Sequence, residues 1–376
     1  MLKHGLPVLL WLLISLQLPA QKTVQFTITS LPAYHSAGSH IYLAGSFNGW
    51  NPADARYRFE NNTNNQYVLQ LSLPPGTYEY KITRGSWEQV ECTANGQPTG
   101  NRQLLLSSDT ALHLSADGWQ DHFGQKKLST ASPQVCIYGT AFFIPQLNRA
   151  RAIRIYVPAD YCSTKKKYPV LYMHDGQNLF DNATSFSGEW GVDEFLDSTV
   201  LSKCIVVGID NGGAHRLTEY NPYDHDRFGK GEGNAYAGFL VHTLKPFIDK
   251  HYRTLRKKKD TWIAGSSMGG LISFYTVLAY PKTFGAAGVF SPAFWTAPGI
   301  DETIKQKGKK LKSRIYFYGG KQEGETMIPD MLRVQQAMAA TSSSATTTVI
   351  RDEGKHNEAR WQKEFPLFYE WLLKTK

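Results

Sequence analysis

Cysteine is scarce in this chain. The four present, at positions 92, 136, 162 and 204 of 376, match no zinc or redox spacing and are too scattered for a disulfide-stapled scaffold. They remain open to two readings. Cys136 and Cys162 flank expected neighbouring strands and are the pair to test as a bridge; otherwise the thiols are free. Several cofactor and metal signatures are absent as well: H-E-x-x-H, G-x-x-x-x-G-K-[ST], and G-x-G-x-x-G after a strand. Their absence removes the zincin, P-loop and dinucleotide-binding readings in their usual forms, so neither cofactor nor metal is expected. A contribution of Asp175, Asp210 or His225 to a metal site reads less well than a structural role.

Long apolar runs are missing beyond the N-terminus, so no later segment is expected to span a bilayer. The net charge is +9, but the positive residues come in short bursts, "KKK" at 165–167, "RKKK" at 256–259 and "KGKKLK" at 307–312. Such bursts read as solvated faces rather than the concentrated stripe a nucleic-acid partner needs. Internal repeats and long low-complexity tracts are lacking too. The first residues, "MLKHGLPVLLWLLISLQLPAQ", combine a basic start, a short apolar run and "LPA". That order predicts a signal peptide over 1–20 and an exported protein, secreted or periplasmic, with no membrane attachment once the signal is removed.

What remains divides into two halves with different patterning. Over 21–118 short alternating runs ("TVQFTITSL", "HIYLAGSF", "QYVLQLSL", "TYEYKITRG", "ALHLSA") are separated by turn-rich stretches, which predicts a small all-β immunoglobulin-like sandwich. Residues 119–132 are polar with Gly and Ser and are expected to be a linker. Over 133–376 apolar β-like runs alternate with helical stretches, which predicts a mostly parallel sheet with helices on both faces. The chain is 41% hydrophobic, enough for a core in each half.

The chemistry concentrates in "TWIAGSSMGGLISFY", 261–275. Gly265-Ser266-Ser267-Met268-Gly269 fits G-x-S-x-G between an apolar strand and a helix. That context makes the central serine, Ser267, the tip of a nucleophile elbow. A serine hydroxyl needs a base, and the base an orienting acid, in the chain order Ser, acid, His. His356, in "RDEGKHNEARW" after the last expected strand, suits the base. The acid should follow the preceding strand, where "GGKQEGE" offers Glu323, nearest the strand end, and Glu325 as the alternative. The oxyanion hole needs two backbone N–H groups. These are assigned to Met268, next after the nucleophile, and Gln177, in a loop where Gly176 permits close approach and His174 and Asp175 act as braces. Trp190, Phe294 and Trp295 are candidates for the substrate pocket. An aromatic wall there would favour a feruloyl over an acetyl group by stacking.

"YPVLYMHDGQNLFD", "AGSSMGG", "SPAFW" and "GKHNEARW" together resemble the esterase D-like α/β-hydrolases, which include the carbohydrate esterase family 1 feruloyl and acetyl xylan esterases and the enterobactin-type siderophore esterases. The resemblance implies an α/β-hydrolase fold, Ser267 as nucleophile and His356 as base, and leaves either glutamate eligible as acid. "IYLAGSFNGWNP", "GTYEYKITRGSWEQVE" and "NGQPTGNRQL" are similar to glycogen- or starch-binding immunoglobulin-fold modules. That likeness implies sugar stacking on Trp50 and Trp87, or alternatively packing roles for both. The expected activity is hydrolysis of feruloyl or acetyl esters on plant polysaccharide such as xylan, with an acylated polysaccharide or oligosaccharide as substrate. The alternatives are a siderophore or other small-ester esterase, and a glycan-binding protein with an inert hydrolase domain.

Overall fold

The computed structural model describes residues 21–62, 66–123, 128–139 and 141–374. The expected signal peptide, 1–20, lies outside the described residues. The chain divides into two compact units, 1–124 and 125–376.

The first unit is a β-sandwich. One sheet has the order Glu60–Asn61, Tyr67–Leu73, Lys22–Ser30, Thr110–Ser115, and the other Tyr42–Gly45, Gly76–Thr83, Arg102–Leu106. Side chains alternate across a strand, so Val24, Phe26 and Ile28 all point inward. There they meet Tyr78, Tyr80 and Ile82 of the facing sheet. The Arg102–Leu106 strand is not among those expected, because "RQLLL" opens on two polar residues behind a turn-rich stretch.

The linker boundary needs correction. Trp119 is fully buried in the sandwich core, and Gly118–Trp119 pairs with Glu91–Cys92. At the other end, Ser129 Oγ donates to Asp181 and the Ser132 N–H donates to Asp193, so these residues belong to the second unit. Polarity alone marks 119–132 as linker, and the single indole of Trp119 outweighs it.

The second unit carries an eight-stranded sheet: β1 (Val135–Ile137), β2 (Ile153–Tyr156), β3 (Val170–His174), β4 (Ile205–Ile209), β5 (Thr261–Ser266), β6 (Ala286–Phe290), β7 (Arg314–Gly320) and β8 (Thr346–Arg351). Its order is β1-β2-β4-β3-β5-β6-β7-β8. β2 runs antiparallel to both β1 and β4, and the rest of the sheet is parallel. This is the α/β-hydrolase arrangement expected from the sequence. Parallel strands covered on both faces must be apolar throughout, and β3 to β6 are buried at nearly every position.

Apart from the four-residue helix Arg216–Glu219, five helices lie between the strands and a sixth follows them. They are α1 (Val192–Ser198), α2 (Gly233–Phe239, continued by a π-helical stretch Leu240–Leu244 and by Lys245–His251), α3 (Met268–Ala279), α4 (Ile300–Lys307), α5 (Met327–Thr341) and the C-terminal α6 (Glu358–Leu373). The strand period of two splits the apolar side chains between two cores. Ile263 of β5 joins the core on the side of α2 to α5. Trp262 and Ala264 join the core on the side of α1 and α6, to which α6 contributes Trp361, Phe365, Phe368, Tyr369 and Leu372. Among the described residues no helix is long and apolar enough to cross a membrane. All four cysteines are free, so the Cys136–Cys162 bridge is not formed. Cys136 and Cys162 are exposed, while Cys92 and Cys204 are buried.

Candidate active site

The C-terminal edge of a parallel sheet is where loops can gather side chains from several strands. Here β5 to β8, adjacent in the sheet, are followed by Ser267, Ser291, Glu323 and His356 respectively.

Ser267 stands between β5 and α3 with φ 58° and ψ −120°. Such a conformation costs a non-glycine residue about 1–3 kcal/mol and persists only where neighbours hold it. Two backbone bonds from the β6 end do so: the Ser267 N–H donates to Phe290 O at 2.9 Å, and Ser267 O accepts from the Ala293 N–H at 3.0 Å. The tight turn also requires Gly265, since a Cβ there would lie 2.8 Å from the Gly269 backbone. The elbow thus places the serine at the start of a twelve-residue helix.

Glu323 and His356 meet across the loops after β7 and β8. Glu323 Oε2 lies 2.8 Å from His356 Nδ1. A carboxylate only accepts, so it holds the proton on Nδ1 and leaves Nε2 as the basic nitrogen. The Glu323 side chain is fully buried, whereas that of His356 is 38% exposed. Backbone bonds from Lys321 N–H to Arg351 O and from Gln322 N–H to Gly354 O tie the two loops together. Glu325 is exposed and makes no hydrogen bond among the described residues, so of the two eligible glutamates it is Glu323 that is brought to the histidine.

Sequence reasoning missed two members of this network. Ser291, fully buried, donates through Oγ to Glu323 Oε1 at 2.9 Å. The Trp361 indole N–H donates to the same Oγ at 2.9 Å. With the Gly320 N–H on Oε1 at 2.7 Å, both carboxylate oxygens are engaged. The Trp361 ring also stands edge-on to His356, with centroids 5.1 Å apart. The "SPAFW" segment stands out for its aromatics, and nothing in its pattern singles out the serine. Neither Ser267 Oγ nor His356 Nε2 bonds to another group among the described residues. Such contacts are often long before substrate binds and tighten in the complex.

The two residues whose N–H groups are expected to receive an oxyanion, Met268 and Gln177, follow β5 and β3, which are neighbours in the sheet. Met268 is the first residue of α3, and its N–H has no intrahelical acceptor. Gln177 lies in a short 3-10 turn, Gly176–Asn178, that begins where β3 ends. A Cβ on Gly176 would sit 2.7 Å from the Gly208 backbone, so glycine is needed for this loop to press against β4. Asp175, at φ 55°, takes a bidentate ion pair from Arg216 at 2.7 and 2.8 Å and a bond from Asn211 Nδ2 at 2.8 Å. Burial would raise its pKa, but Arg216 outweighs burial and holds the carboxyl below the ordinary range. Burial pushes His174 down to about 3, so it is neutral, and its Nδ1 lies 3.0 Å from Tyr236 Oη. Both residues therefore brace the loop, and His174 is no rival base. Asn178 Nδ2 reaches Glu358 Oε1 at 3.3 Å, and burial raises the pKa of Glu358. Asp210 pairs with Arg154 at 2.7 and 3.0 Å. Among the described residues no group of three or more His, Cys, Asp and Glu is arranged to hold a metal ion.

The pocket aromatics need correction. Trp190 is 3% exposed, packed among Phe290, Trp361 and Phe365, and Phe294 is 1% exposed against Phe274 and Phe317. Both fill space between sheet and helices, a role that a residue's place in a motif does not reveal. Trp295 is 50% exposed at the same strand edge. In the first unit Trp50 and Trp87 are partly exposed neighbours, with ring centroids 6.3 Å apart.

Residues 144–369 match the model of the Esterase family, and residues 34–120 match that of the pullulanase X25 domain. An endo-1,4-β-xylanase/feruloyl esterase of Xylanibacter ruminicola is 27% identical over 161 residues, 41% of this chain and 21% of that protein. The iron(III) salmochelin esterase of Escherichia coli is 23% identical over 322 residues, 78% of this chain and 70% of that protein. The crystal structure of enterochelin esterase from Shigella flexneri superposes with a TM-score of 0.55 at 14% identity, covering 94% of this chain and 92% of that one, a likeness of fold. The Esterase match spans more than half of the chain, which therefore belongs to the Esterase family of α/β-hydrolases.

Proposed function

We propose that this chain is an exported serine carboxylic-ester hydrolase that removes feruloyl or acetyl groups from plant polysaccharide such as xylan. The carrying observation is the strained Ser267 at the same sheet edge as the Glu323–His356 pair. Ser267 Oγ attacks the ester carbonyl while His356 Nε2 takes its proton. Glu323 orients the ring and stabilises the imidazolium that forms. The Met268 and Gln177 N–H groups receive the developing oxyanion; one such donor is typically worth about two to three powers of ten in rate. Collapse expels the alkoxide, protonated by His356, and leaves an acyl-enzyme. Water, deprotonated by His356, attacks that ester, and the second tetrahedral intermediate returns the free acid and Ser267.

The saccharide reading draws on two similarities. One relative is named for xylanase and feruloyl esterase activities. The N-terminal unit matches a domain named for pullulanase, and its Trp50–Trp87 pair offers apolar faces suited to sugar rings. The salmochelin esterase similarity favours a second reading, hydrolysis of a siderophore ester, since it extends over more of both chains. Binding of glycan without turnover is disfavoured by the intact set of Ser267, Glu323 and His356. Export rests on the pattern of residues 1–20.

The test is hydrolysis of p-nitrophenyl acetate, methyl ferulate, acetylated xylan, feruloylated xylan and a catecholate triester, with wild type beside Ser267→Ala. Ferulate or acetate release that the substitution abolishes is the expected result. Turnover of the triester alone would establish the siderophore reading, and equal activity in both proteins would remove Ser267 from the mechanism.

A further inference from the structure

Between the loop that follows β6 and the loop that follows β4 lies a small cavity of about 220 Å³ lined by Asp224, His225, Asp226, Trp295 and Pro298. It is tied to the catalytic turn through backbone and buried side chains. Ala293 donates to Ser267 O, and Thr296 Oγ1 reaches Met268 Sδ at 3.6 Å. The buried Asn221 Nδ2 donates to Thr296 O at 2.9 Å, which fixes the start of the loop that carries Asp224 to Asp226. That loop is closed on itself: the His225 N–H donates to Gly229 O, and the Gly229 N–H to His225 O.

The polar groups left over are specific in kind. The Arg227 N–H donates to His225 Nδ1 at 3.1 Å, so the ring proton sits on Nε2. Burial lowers the His225 pKa, which keeps the ring neutral with Nε2–H as a donor. Asp224 spends one oxygen on the Gly231 N–H at 2.9 Å. Asp226 accepts no bond among the described residues. The Trp295 indole is half exposed and met edge-on by His225 and Phe228, at centroid distances of 6.2 and 5.9 Å. The lining therefore holds an aromatic face, two carboxylates, one neutral donor and no cation.

A sugar ring presents the complement: an apolar C–H face and hydroxyls around its rim that donate to carboxylates. An anionic ligand would meet two carboxylates in the lining, and the nearby Arg227 that acts on His225 is not among the lining residues. The volume is below the about 300–1,000 Å³ of sites for drug-sized ligands, which suits one ring rather than a multi-ring chelate. We propose that Asp224, His225, Asp226 and Trp295 form a subsite for a neutral glycosyl unit of the ester substrate. This rests on the esterase reading above and assigns it a saccharide alcohol side.

Two measurements test it. The first is binding of xylotriose, arabinosyl-xylotriose and maltotriose by calorimetry, in the full chain carrying Trp50→Ala and Trp87→Ala so that the first unit does not contribute. Adding Trp295→Ala or the near-isosteric Asp226→Asn should weaken binding at least about tenfold, by the loss of a stacking face or of a charged acceptor. No binding of any of the three, or binding indifferent to both substitutions, overturns the subsite. The second is the ratio of kcat/KM for a feruloylated arabinoxylan trisaccharide to that for methyl ferulate. It should fall about tenfold in each variant, and an unchanged ratio overturns the proposal. If wild type hydrolyses neither ester, the esterase reading fails and the binding measurement alone decides the subsite.

Discussion

Ser291 Oγ donates to Glu323 Oε1 at 2.9 Å from a fully buried position, so the acid that orients His356 is itself oriented. A hydrogen bond to a charged group is worth about 1.5–3 kcal/mol, which corresponds to about 10- to 100-fold in rate if it is expressed in the transition state. Ser291→Ala is expected to lower kcat by that factor with KM changed less than about threefold. Steady-state kinetics on p-nitrophenyl acetate would show it. A rise in KM with kcat intact would make Ser291 a packing residue instead.

The two glutamates of "GGKQEGE" should separate sharply. Glu323→Ala removes the partner of His356 Nδ1 and is expected to cost about three to four powers of ten in kcat/KM, as removal of a triad acid does elsewhere. Glu325→Ala alters an exposed side chain and should stay within about twofold. The reverse order in the same assay would transfer the role of acid.

Stability should depend on His174 at acid pH. Its folded pKa, about 3, lies below its ordinary value of 6.5. The unfolded chain therefore takes up a proton first as pH falls through 6.5, and native stability declines from there towards pH 3. The slope from one such group approaches about 1.4 kcal/mol per pH unit. Denaturant melts between pH 7 and 4 should show a shallower decline in His174→Gln than in wild type, and parallel declines would contradict the assignment.

Native thiol labelling should divide the cysteines two and two. Cys162 and Cys136 are exposed and should react before denaturation, Cys136 more slowly because its thiol, unlike the residue as a whole, is partly shielded from water, which raises its pKa. Cys92 and Cys204 should react only after unfolding, with burial raising Cys204 to about 12. Mass spectrometry that finds no label on Cys136 and Cys162 would point to a bridge between them.

Local pattern makes the architecture readable, because buried parallel strands and the helices between them announce themselves by period. Ser267 and His356 are readable for a related reason: each stands at a fixed place relative to a strand end. Direction is not readable. Trp190, Phe294 and Trp295 look alike as aromatics near strand ends, yet two are core and one is surface. Ser291 carries no signal, since its role depends on a carboxylate 32 residues later reaching back to it across the sheet edge. Trp119 shows the opposite case, in which one large buried side chain overrides the polarity of its neighbours.

Among the described residues, five other than glycine have positive φ: Trp50, Asn148, Asp175, Ser267 and Ser291. Ser267, Ser291 and Asp175 carry or brace the groups proposed for catalysis, and Trp50 presents the face proposed for sugar. Function and durability are thus set against each other at particular backbone positions, not spread over the fold. A lineage selected for heat tolerance alone would be drawn to glycine at Ser267, and would lose its chemistry by the same step that made it hardier, whereas at Ser291 the buried bonds to Glu323 and Trp361 oppose that exchange.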